Sequence, residues 1–173
     1  MSAKYITLSL GISLGVLWTF DGAGAGEWGK YQVEDRRSGY TYAQKETRAM
    51  QDDDFENPAM VLVDDAAALW EEVDGKAGKS CASCHQDAAV SMKGVGAVYP
   101  KYDKKLGKMK NIEQQINICR TERMEAKPWK WEKSQLLAMT VYVRHQSRGM
   151  PMNVKVDGEA APFFAKGKAF YNQ

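Results

Sequence analysis

Cys81-Ala82-Ser83-Cys84-His85 leaves a chain little freedom in what it can become, because the pattern matches the attachment site of a c-type haem. Two thiols three positions apart can each add across a haem vinyl group, and the histidine that follows can reach the iron. With three Cys and two His in 173 residues, chance would place this pattern only roughly 0.0006 times. A redox CxxC calls for a thioredoxin-like βαβ surround, which the flanking sequence lacks. A zinc site would need a second ligand pair, and only Cys119 and His145 remain. The expectation is one covalent haem c, held by Cys81 and Cys84, with His85 on the iron.

The N-terminus reads as that of an exported protein. Lys4 precedes an apolar stretch from Ile6 to Phe20, and Ala23-Gly24-Ala25 offers the small-x-small pattern that signal peptidase cuts after. The apolar stretch is 15 residues long, short for a bilayer span and without a stop-transfer flank. Residues 1–25 are therefore expected to be a signal peptide rather than a stable membrane anchor. Covalent haem c is attached beyond that membrane, so both signals point to the periplasm. Residues 26–51 are polar and mixed, an N-terminal arm without a strong periodic signal.

Composition narrows the partners. The net charge is +2, and no basic stripe interleaves with aromatics, which argues against nucleic acid. Lys101, Lys104, Lys105, Lys108 and Lys110 form a local basic run. It reads first as a solvated loop, and otherwise as a docking patch for an acidic redox partner. Asp52-Asp53-Asp54 reads as a solvated turn before Phe55.

Helical patterns frame the haem motif, and the fold class expected is all-α, with a cytochrome c-like domain over residues 52–156. Ahead of the motif, Ala66, Leu69, Trp70 and Val73 share one helical face, with Asp64 and Asp65 as candidate caps and Gly75 as the stop. Beyond it, Ser134 is a candidate cap for a helix with Leu137, Ala138, Val141 and Tyr142 on one face, ended by Gly149 and Pro151. No convincing β-hairpin alternation competes. Between these, Asn111-x-x-Gln114 resembles a capping box, opening a helix over Asn111 to Glu122.

That middle helix bears on the second axial ligand of the iron. Ile112, Ile116 and Cys119 fall on one face, so the third cysteine points to the core, with Arg120 and Arg123 nearby to favour a thiolate. The arginines could equally hold the haem propionates or be solvated. Met is the usual partner of His in electron-carrying cytochromes c, which brings in Met92, Met109, Met124 and Met139. Met92 lies close after the motif and Met139 inside the last helix; Met109 and Met124 stay open on spacing. His145 reads as a favourable charge at a helix C-terminus.

Four blocks carry a resemblance to a known family. They are Asp52-Asp53-Asp54-Phe55-Glu56-Asn57-Pro58, Gly78-Lys79-Ser80-Cys81-Ala82-Ser83-Cys84-His85, Ile116-Asn117-Ile118-Cys119-Arg120-Thr121-Glu122-Arg123 and His145-Gln146-Ser147-Arg148-Gly149-Met150-Pro151. In this order they resemble the SoxA subunit of the SoxAX cytochrome. The resemblance implies a periplasmic L-cysteine S-thiosulfotransferase of bacterial sulfur oxidation. It would couple thiosulfate oxidatively to a cysteine of the carrier SoxYZ, with SoxX as the smaller cytochrome subunit. In dihaem SoxA the N-terminal domain holds its haem through a His and a Cys, roles that carry over to His85 and Cys119. Trp129 and Trp131 are expected in core or haem-edge packing.

The chain also departs from that pattern. A second CxxCH does not occur in it, and Phe163, Phe164, Gly167, Ala169, Phe170 and Tyr171 read as the opening of a further aromatic-rich helix. Residues 157–173 are accordingly expected to be a linker and the start of a second domain, with the catalytic centre outside this sequence and no catalytic residue within it. The competing function is an independent periplasmic electron carrier, for which a Met ligand would be expected.

Overall fold

The computed structural model describes residues 39–172. The expected signal peptide and residues 26–38 of the arm lie outside the described residues. Those described fall into two units, 39–48 and 49–172. In the first, helix α1 (Gly39–Tyr42) is followed by the start of α2 (Lys45–Asp52), and the Arg48 guanidinium lies 6.0 Å from the Tyr40 ring. The arm thus holds two short helices that its mixed sequence did not announce.

The second unit is built on helices α3 (Met60–Glu71), α4 (Ala82–His85), α5 (Ala88–Ser91), α6 (Ile112–Arg123), α7 (Ser134–His145) and α8 (Ala161–Tyr171). The Asp52–Asp54 turn is present: Asp53 Oδ1 accepts from Phe55 N at 2.8 Å. Helix α3 then starts at Met60, earlier than expected, where Asn57 holds the Ala59 N–H at 3.0 Å. Asp64 and Asp65 are therefore exposed positions inside the helix rather than caps, and Val73 falls beyond its end.

Helices α3 and α7 make the most extensive contact in the fold. Ala66, Trp70, Ala88, Tyr99, Ile112, Ala138, Met139 and Val143 form the core around them. Burying Leu136 and Met139 contributes about 1.5–3 kcal/mol each.

The buried face of α7 differs from the one expected. Leu136, Met139, Thr140 and Val143 are buried with Ala138, whereas Leu137 is 43% exposed. The helix packs on α3, α6 and the turn at Val95–Ala97, so apolar residues surround much of it and periodicity picks out no single side. Ser134 is its first residue and makes no capping bond. The capping box on α6 is present: Asn111 Oδ1 accepts from Gln114 N at 2.9 Å, and Gln114 Oε1 from Asn111 N at 3.0 Å.

Against the expectation of no hairpin, the fold contains a small one. Strands β1 (Lys101–Asp103) and β2 (Lys108–Lys110) pair antiparallel, and Asp103 Oδ1 closes their turn by accepting from Leu106 N at 3.0 Å. Three-residue strands are too short to show alternation. The basic run is thus not a plain solvated loop. Lys110 pairs with Asp103, Lys104 with Glu159 at 3.2 Å and Lys105 with Glu122 at 3.7 Å. Helix α8 follows, with Phe163 against Tyr102 at 5.8 Å between ring centroids. Among the described residues, no helix is long and apolar enough to cross a membrane.

Candidate haem-binding site

Cys81, Cys84, His85 and Cys119 all line one cavity of about 300 Å³, walled by α3, α4, α6, α7 and the connections between them. Three mutual contacts shape the motif itself. Ser80 Oγ accepts from Ser83 N at 3.1 Å, Ser83 Oγ from Ser80 N at 2.9 Å, and the two hydroxyls meet at 3.1 Å. This clasp winds Cys81 to His85 into one helical turn, which turns both thiols and the imidazole towards the same space.

Trp70 braces the histidine side. Its ring lies 5.9 Å from the His85 ring, and its Nε1 donates to Gln86 O at 2.8 Å. Gln86 has φ 55 and ψ −135, a conformation that disfavours any side chain, directly after the imidazole. The Trp70 bond helps hold that strained peptide. Trp70 is also the core residue that its helical face predicts, whereas its polar role has no local signal in the sequence.

The loop before the motif is fastened to α6. Arg120 is only 4% exposed; its Nη2 meets Asp74 Oδ2 at 2.5 Å, its Nε donates to Lys127 O at 3.1 Å, and its guanidinium lies 3.9 Å from the Trp129 ring centroid. Arg120 therefore acts as a strut between the two walls, beyond the thiolate or propionate roles considered from sequence. Asp74 responds: the hydrogen bond from Arg120, then that from Gly75 N, hold its carboxyl below the usual value. Gly75 has φ +75, and a Cβ there would fall 2.2 Å from Met124 O.

Burial pushes the Cys81 thiol above its usual value, with the Arg120 charge opposing. Cys119 Sγ accepts a hydrogen bond from Gln115 Nε2 at 3.2 Å, a contact that the i, i+4 spacing allows but does not by itself signal. Met92, Met124 and Met139 also line the cavity; Met109 and His145 do not. Trp129 packs against the core beneath Arg120, as expected, though outside the cavity lining, whereas Trp131 is 53% exposed, against the expectation of packing.

The donor set fits a c-type haem. Cys81 and Cys84 form no disulfide, the imidazole is adjacent, and a third free thiol faces the same largely apolar space. The model of the SoxA/TsdA cytochrome c domain matches residues 65–152, just over half of the chain. The chain belongs to this family. A SoxA/TsdA cytochrome c domain brings haem c as its class of cofactor. Two SoxA relatives carry the name L-cysteine S-thiosulfotransferase subunit. That of Pseudaminobacter salicylatoxidans is 47% identical over 135 residues, covering 78% of this chain and 47% of its own. That of Rhodovulum sulfidophilum is 43% identical over 140 residues, covering 81% and 49%. A crystal structure of SoxXA from P. pantotrophus superposes with a TM-score of 0.72 at 43% identity, over 78% of this chain and 50% of that one. The chain spans about half the length of the curated relatives it matches. The all-α, cytochrome c-like class expected from sequence holds for this SoxA-type domain.

Proposed function

We propose that this domain is the haem-bearing part of a SoxA subunit, with one haem c bound covalently to Cys81 and Cys84 and ligated by His85 and Cys119. The observation that carries the reading is the convergence of these four side chains on a single cavity. When bound, the haem supplies one-electron exchange; the chain's part is to hold it, exclude water and set its electronics. The complete subunit would work with SoxX in the periplasm, after loss of residues 1–25, and join thiosulfate oxidatively to a cysteine of SoxYZ. SoxA names among the relatives and the SoxXA likeness support this.

All three cysteines of the sequence face the haem cavity. With two bound to haem vinyls and one to iron, none is left as a nucleophile for thiosulfate chemistry. Residues 1–173 alone are expected to carry the haem without coupling thiosulfate to SoxYZ.

Mass spectrometry under denaturing conditions, on protein exported from a host with c-type maturation, tests the site. One haem per chain should survive, and Cys81→Ala with Cys84→Ala should abolish it. Extraction of the haem by acid-acetone from the unaltered chain would overturn the reading. Cys119→Met, which replaces a thiolate by a weaker donor, should raise the potential. No change would favour a Met-ligated independent electron carrier, for which Met124 and Met139 stand in the cavity wall.

A further inference from the structure

The geometry points to Gln115 as a positioning residue that tunes the haem through the sulfur of Cys119, an inference that rests on Cys119 being an iron ligand. Gln115 and Cys119 lie one helical turn apart on α6, and both line the cavity. The Gln115 amide nitrogen donates to Cys119 Sγ at 3.2 Å, so the sulfur is the acceptor. An amide N–H has no lone pair to offer in return, and a sulfur bound to a metal as thiolate keeps lone pairs that can accept.

Helix α6 makes the contact a durable one. Its first turn is locked by the Asn111–Gln114 capping box, and its last turn by the bonds of Arg120 to Asp74 and Lys127. The two ends are fastened independently, so the backbone beneath Gln115 and Cys119 is held on either side. Arg120, the cation next to the cysteine in sequence, points its Nε and Nη2 at those other acceptors, and Arg123, which also lines the cavity, makes no hydrogen bond to the sulfur. The neutral amide of Gln115 is left as the donor on the sulfur.

A hydrogen bond to a thiolate ligand withdraws electron density from the sulfur–iron bond. It weakens the sulfur's donation and favours the reduced iron relative to the same ligand without the bond. Gln115 thus offsets part of the low potential that a thiolate imposes.

The test uses the matured, haem-bearing chain and reads the midpoint potential together with the Fe–S stretching frequency by resonance Raman. Gln115→Leu keeps the volume and removes the donor; Gln115→Glu keeps the shape and replaces the amide donor by a carboxylate. Both should move the potential negative and raise the Fe–S frequency, with the melting temperature recorded to separate this from loosened packing. If Cys119→Met raises the potential while both Gln115 variants leave potential and frequency unchanged, Cys119 is a ligand and the role of Gln115 is refuted. If Cys119→Met itself changes neither, the ligation reading fails and takes this inference with it.

Discussion

Arg120 on α6 and Asp74 before the haem motif meet at 2.5 Å across 46 positions of sequence. The bond joins the wall that carries Cys119 to the loop that leads into Cys81. Next to it, Lys76 N and Ala77 N donate to Glu125 O and Met124 O at 3.3 and 3.1 Å. The cavity keeps its width because these two walls are tied at one corner.

Arg120→Met should loosen that corner. The variant loses the bonds to Asp74 and Lys127 and the cation over Trp129 while keeping an apolar stem. The expected loss is about 2 kcal/mol, less than for a fully buried pair because the Asp74 side chain is half exposed. Chemical denaturation of the haem-bearing protein measures it, and an unaltered midpoint would show that the strut carries no weight.

Gly75→Ala should be more damaging. It combines a positive φ with a Cβ placed 2.2 Å from a backbone oxygen, which no rotamer can relieve. Destabilisation of at least about 3 kcal/mol is expected, seen as poor recovery of folded, haem-loaded protein. Wild-type yield and melting temperature would refute the packing described for this loop.

Trp70→Phe separates the ring from its donor. The aromatic face against His85 is largely kept, but Gln86 O loses its partner. A loss of about 1–2 kcal/mol is expected from the missing bond. Broadened low-spin EPR signals should accompany it as the imidazole orientation relaxes; sharp, unshifted signals would rule out a bracing role.

Acid should weaken the fold through three carboxylates. Asp74 is held below its usual value by Arg120 and Gly75 N, Asp103 by Lys110 and Leu106 N, and Glu159 by its own backbone and Lys104. Each folded-state value lies under the unfolded one, so the stabilisation is present above about pH 4. It is lost as the pH falls through the depressed values. Melting temperature should drop on going below pH 4, and Asp74→Asn should shrink that drop. A flat profile down to pH 2.5 would contradict the assignment.

The resemblance blocks show how much local sequence can say. Asp54 and Arg148, from the first and fourth blocks, form an ion pair across 94 positions, so segments that match a family separately are also joined in space.

The CxxCH motif, the α6 capping box and the Asp53 turn were legible from sequence because each is completed within about one turn of chain. Their partners are near neighbours, so residue type and spacing carry the information. The buried face of α7, the brace from Trp70 to Gln86, the strut from Arg120 to Asp74 and the hairpin at Lys101–Lys110 were not. Most of these depend on which distant elements meet, and α7, packed on several sides, buries more residues than any single stripe reveals. Sequence determined what chemistry the cavity can hold; tertiary packing alone decided which side chains hold it open, because a hydrogen bond between remote elements leaves no periodicity to read.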